Sequence, residues 1–117
     1  MADAKRVICP SAALEECGKG VRFPMASAGF EDKGFVIRFS GKPHAFINQC
    51  PHLGTELDWN PGEFFDFAGV YLVCSTHGAI FEPDTGLCVA GPCRGASLEP
   101  LAVGEQGGEV FLLDDEP

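Results

Sequence analysis

Residues 70–91 read VYLVCSTHGAIFEPDTGLCVAG, and their order decides the fold. An apolar run from Val70 to Cys74 gives way to a short polar box, then to a second run from Ala79 to Glu82. The tight-turn sequence Pro83-Asp84-Thr85-Gly86 follows, then a third run from Gly86 to Val89. Runs of this length bounded by Gly, Pro and Asp are strand signals, too short for amphipathic helices. The box itself, Cys74-Ser75-Thr76-His77-Gly78, offers a thiolate and an imidazole. Twenty-one residues separate Cys74 from His52 of an earlier box, Cys50-Pro51-His52-Leu53-Gly54, which repeats the mixture. Thiolates suit ferric iron and bridging sulfide, and neutral imidazoles in place of two further thiolates remove negative charge and raise a centre's reduction potential. Gly54 and Gly78 let the backbone turn beside a metal.

The same punctuation extends outward. Strands are expected at residues 5–9, 21–27, 34–40 and 43–49, rich in Val, Ile and Phe, with Ser40-Gly41-Lys42 as a hairpin turn and Phe35, Ile37 and Phe39 on one face. Beyond the quoted stretch, strands are expected at 98–103 and 109–113. A one- or two-turn helix from Ala12 to Glu16, capped by Ser11, is the only helical expectation. Pro51 to Phe67, with its prolines, glycines and polar residues, reads as a surface loop. Closely spaced strands without internal repeats give an all-β chain, an antiparallel sandwich or barrel from which the two Cys/His loops project. The chain reads as a single domain over 1–117, with loops at about 48–57 and 72–95, and a frayed tail at 114–117.

Composition narrows the function classes. With 117 residues there is no room for a catalytic domain beside a carrier domain, and 15 Gly with 9 Pro favour turns over long helices. Six cysteines, about 5% of the chain, fall below the roughly 8–10% of secreted disulfide scaffolds, so metal ligation is the better reading. A net charge of −9 disfavours nucleic acid and favours a partner with a basic docking face. No stretch approaches the ~18 apolar residues that span a bilayer, and no apolar signal core follows Met1-Ala2-Asp3-Ala4-Lys5-Arg6, so a cytoplasmic monomer away from membranes is expected.

The two boxes resemble those of Rieske proteins, and the resemblance covers roughly residues 34 to 103. His77 to Gly86 followed by Gly91-Pro92 is similar to the hairpin and cluster-shielding loop of that family. The resemblance implies one [2Fe–2S] cluster, with Cys50 and Cys74 on one iron and His52 and His77 on the other. Two departures locate the chain within the family. Disulfide-containing respiratory members carry an extra cysteine in each box, where this sequence has Thr55 and Thr76. High-potential members place hydroxyl donors two and four residues after the second histidine, where this sequence has Ala79 and Phe81. Hydroxyls there favour the reduced state, so their loss implies the low end of the roughly −150 to +300 mV Rieske range. The resemblance also implies ligand histidines whose exposed nitrogens deprotonate more readily on ferric iron, lowering the potential at alkaline pH.

The implied function is one-electron transfer by a ferredoxin, similar to those of ring-hydroxylating dioxygenases, between a reductase and a terminal oxygenase, with no catalysis of its own. Two alternatives stand beside it: a small Rieske subunit of a larger reductase, similar to that of nitrite reductase, and a zinc-stabilised Cys₂His₂ interaction domain. His44 reads as a solvated surface residue. Cys9, Cys17, Cys88 and Cys93 read as buried thiols, with a second redox pair as the sharper alternative. Phe64, Phe65 and Phe67 read as anchors of the long loop, with a partner-docking patch as the alternative.

Overall fold

The computed structural model describes residues 6–25, 30–51, 57–58, 62–66, 68–74, 78–91 and 94–113. Among the described residues ten strands form three antiparallel sheets. The first sheet sets β1 (Arg6–Pro10) beside β10 (Glu109–Leu112) and β10 beside β9 (Val103–Gln106). The central sheet runs β2 (Val21–Met25), β3 (Phe30–Phe39), β4 (Lys42–Ile47) and β8 (Pro100–Leu101). The smallest contains β5 (Leu72–Val73), β6 (Ile80–Phe81) and β7 (Cys88–Ala90). Among the described residues no helix is long and apolar enough to cross a membrane.

The central sheet is apolar on both faces because successive side chains of a strand point opposite ways. Phe35 and Ile37 of β3 and Phe46 of β4 enter one core, with Leu57, Phe64, Leu72, Phe81 and Leu98. Val36 and Ala45, one position along, enter the other with Cys9, Phe23, Val110 and Leu112. The expected alternation of Phe35, Ile37 and Phe39 is thus present, Phe39 packing at the margin of the first core. The two cores lie on opposite faces of this sheet: one carries the small sheet and the Cys/His loops, the other the sheet made by the chain's two ends.

Several expectations about the elements change on meeting the structure, β3 among them, which begins at Phe30 instead of 34. The helix at 12–16 is a single 3₁₀ turn, Ser11–Ala13, with Ser11 inside it instead of capping it. Leu14 leaves the turn in extended backbone to reach the core, and Glu16 is recruited elsewhere. Its carboxylate accepts N–H bonds from Ser40 and Gly41 (2.8 Å for the latter), tying down the β3–β4 turn, where both residues have positive φ. Pro51 to Phe67 is no mere surface loop, because Leu57, Asp58 and Phe64 are buried within it. Its anchor is the Phe64 ring, stacked on Phe35 at 3.9 Å and 12°. Finally, β9 continues to Gln106 and pairs with β10 through the Gly107-Gly108 turn, which the sequence reading left outside any strand.

Arg38 of β3 clasps the first and central sheets. Its guanidinium donates to both carboxylate oxygens of Glu105 on β9, at 3.0 and 2.7 Å, and to the Leu14 and Ser11 carbonyls, at 2.9 and 3.2 Å. The hydrogen bonds from Arg38 hold the Glu105 carboxyl down at about 2 from an ordinary 4.5.

Candidate metal centre

The two candidate cysteine ligands sit in the same core. Cys50 and Cys74 are 2% and 0% exposed, belong to one apolar cluster, and carry thiols outside any disulfide. Each stands just beyond a strand. Cys50 follows β4 after Asn48 and Gln49, and the Gln49 N–H donates to the Ile47 carbonyl (2.8 Å) to turn the chain. Cys74 follows β5, donating its N–H to the Ala79 carbonyl (2.9 Å) and accepting at its own carbonyl from the Gly78 N–H (2.8 Å). Gly78 has φ +73, the left-handed conformation that glycine adopts without strain, as the sequence implied. Gly54, Thr55, Thr76 and the candidate ligands His52 and His77 lie outside the described residues.

A third loop begins at Gly91, which meets the chain just after the second box, at Ala79. The Gly95 N–H donates to the Cys88 carbonyl (3.1 Å) and the Cys88 N–H to the Ala96 carbonyl (2.8 Å), fastening Gly95 and Ala96 to β7. Gly91 approaches so closely that a Cβ there would lie 2.7 Å from the Ala79 Cα. Pro92 and Cys93, in the expected shielding loop, lie outside the described residues. Ala79 and Phe81 are both fully buried, so the two places where hydroxyl donors were sought hold only apolar groups.

The described thiol half of the donor set fits an iron–sulfur cluster. Two thiolates buried together in an apolar core carry a large desolvation cost unless cations compensate them. Two ferric ions with two sulfides would supply that compensation, leaving the protein near −9.

Of the remaining described cysteines, Cys88 shares this core, whereas Cys9 and Cys17 lie outside it. Cys9 is buried in the opposite core, where burial raises its thiol above the ordinary value. Cys17 is half-buried, a correction to its reading as buried, and desolvation followed by the adjacent Glu16 raises its thiol too. Cys88 is buried, its Sγ 3.2 Å from the Ala90 carbonyl. His44 is half-buried on β4 opposite Ile37, its ring 6.5 Å from that of Phe39, so it is not the fully solvated residue expected. Phe64 and Phe65 pack on the core as anchors, and Phe67 lies outside the described residues.

Sequence reasoning missed Asn48 and Asp58, two buried polar residues at the neck of the first loop. Asn48 Nδ2 donates to Asp58 Oδ1 (3.0 Å), the Leu57 N–H to Asn48 Oδ1 (2.9 Å), and the Gly62 N–H to Asp58 Oδ2 (2.9 Å). Arg22 of β2 faces the same carboxylate at 3.5 Å. The available signal was an amide two residues before a candidate ligand, in a run otherwise committed to strand.

Comparison with known proteins bears on this arrangement. Residues 5–105 match the family model described as Rieske [2Fe-2S] domain. Over 80 residues, 62% of this chain, the sequence is 35% identical to the carnitine monooxygenase oxygenase subunit of Acinetobacter pittii (strain PHEA-2). That match spans only 20% of the relative's length. Among solved structures, the terminal oxygenase of carbazole 1,9a-dioxygenase from Novosphingobium sp. KA1 superposes with a TM-score of 0.75 at 24% identity, over 97% of this chain and 31% of that one. The Sphingomonas yanoikuyae B1 ferredoxin superposes with a TM-score of 0.71 at 22% identity, over 94% of this chain and 98% of that one. At these identities the structural likeness is one of fold.

Proposed function

The chain belongs to the Rieske [2Fe-2S] domain family, with one cluster and iron–sulfur electron transfer as its chemistry, and from that premise we propose that it passes single electrons from a reductase to a terminal oxygenase. Cys50, His52, Cys74 and His77 would hold the cluster, the cysteines on one iron and the histidines on the other. When bound, the cluster supplies one reversible one-electron couple. The protein's own residues bury the thiolate side, turn the chain at Gly78 and bring Gly91 against Ala79. The observation that carries this reading is the burial of Cys50 and Cys74 in one apolar cluster, each followed in sequence by a histidine within three residues. With all four iron positions on each metal filled by sulfide or protein, outer-sphere transfer is the remaining chemistry.

Two features support a separate, basic partner. The net charge is −9, and a cleft of about 250 Å³ beside the first loop is lined, among the described residues, by Ile47, Gln49, Cys50, Pro51, Ser97 and Glu99, of which the one charged side chain is acidic. A second reading keeps the same centre as the electron-delivering domain of an oxygenase assembly, and the 35% identity to an oxygenase subunit favours it.

The test is EPR of the dithionite-reduced protein together with iron and acid-labile sulfide analysis. A rhombic signal with average g below the free-electron value, and equal iron and sulfide, is the expected result. A colourless, EPR-silent protein containing zinc would end the electron-carrier reading. Reoxidation by an added oxygenase component, faster at low salt, separates a free carrier from a resident domain.

A further inference from the structure

We propose that Asn48 and Asp58 are positioning residues for the first ligand loop. Their buried bridge ties residue 48 to residues 57 and 58, and Cys50 and His52 lie in the segment it closes. The inference rests on the ligand assignment above.

Asn48 is 1% and Asp58 4% exposed, so both have given up water and depend on one another. The asparagine uses both ends of its amide, accepting from the Leu57 N–H and donating to Asp58. Neither leucine nor aspartate can do both. The second carboxylate oxygen takes the Gly62 N–H and faces Arg22, so the neck of the loop is fastened to β2 as well. Apolar anchoring of the long segment is already supplied by Leu57 and Phe64. Apolar contacts tolerate sliding, whereas paired directional hydrogen bonds fix one register. Fixing the neck removes most of the freedom of the residues between, which is what a loop with two ligands requires if they are to meet iron without a further ordering cost.

Three variants test this in the cluster-loaded protein. Asn48→Asp removes the donor and sets two carboxylates against each other. Asp58→Asn keeps the shape and loses one acceptor. The double variant N48D/D58N exchanges the partners and restores a donor opposite an acceptor. Glu105→Gln, which weakens the distant Arg38 clasp, serves as the stability control.

Expected are shifted or broadened g values in N48D and iron release to a chelator about tenfold faster, the factor carried by about 1.4 kcal/mol of lost buried hydrogen bonding. The double variant is expected to recover both, and E105Q to lower the melting temperature with the wild-type spectrum. Should N48D fail to accumulate, D58N carries the same comparison. Wild-type g values and iron release in N48D and D58N, with only a melting loss like that of E105Q, would overturn the inference and leave the electron-carrier reading intact. Absence of a rhombic signal in the wild-type protein would instead remove that reading.

Discussion

At the scale of single residues, the proposed chemistry turns on what stands beside the candidate ligands. Ala79 is fully buried two residues after His77, so Ala79→Ser introduces a hydroxyl where none now exists. If that hydroxyl bonds a cluster sulfur, it favours the reduced form, and potentiometric titration should find the midpoint raised by about 60 mV, tenfold in a one-electron equilibrium. The cysteines divide equally sharply. Cys50→Ser or Cys74→Ser should abolish the visible absorption and reduce bound iron to near zero. Cys9→Ala should keep both, because Cys9 is buried in the core on the far side of the central sheet. A Cys9→Ala protein without iron would contradict the assignment. The candidate ligands stand out in the sequence because a thiolate and an imidazole two or three residues apart have few other uses, and of the four the structure describes Cys50 and Cys74, in one core. Asn48 and Asp58 do not stand out, because ten residues separate them and a single hydrogen-bonded pair leaves no periodic trace.

Elements were legible where alternation and turn chemistry agreed. The β3–β4 hairpin and the 83–86 turn follow their sequence signals closely, the latter closed by the Gly86 N–H on the Glu82 carbonyl at 2.8 Å. Part of β9 escaped notice because Gly104 and the charged Glu105 depress its strand character. Yet a Cβ at 104 would lie 2.7 Å from the Phe111 ring, so the residue that weakens the signal also makes room for the neighbouring strand. The segment before Cys74 shows the converse. Its prolines and glycines read as exposed loop, while it buries Leu57 and a Phe64 ring stacked against Phe35. Phe64→Ala should lower the unfolding free energy by about 3–5 kcal/mol in chemical denaturation, the usual cost of emptying a buried phenylalanine site. A loss below about 1 kcal/mol would mean that the segment is held elsewhere.

For the whole molecule, the Arg38–Glu105 clasp makes cohesion of two sheets depend on acidity. The Glu105 carboxyl is held down at about 2, so its contribution is complete above its ordinary 4.5 and is lost as pH falls through about 2. Glu16, lowered chiefly by the Gly41 N–H, acts with the same sign at the β3–β4 turn. Melting temperatures of the wild type and E105Q should therefore differ at pH 6 and converge as the pH falls from about 4.5 toward 2. A gap that stays constant over that window would show that the carboxylate charge contributes nothing. The all-β class was evident from the sequence, whereas this clasp, joining residues 38 and 105, exists only once the sheets are assembled.

The central sheet, apolar on both faces, also acts as a partition. Changes to the packing of Cys9, Phe23, Val110 and Leu112 on one side meet those around Cys50 and Cys74 only through a shared wall, and well-separated substitutions add nearly independently. The terminal half is thus a handle by which the protein's endurance can be retuned, or a tether attached, while the voltage at which it trades electrons stays where the loops set it.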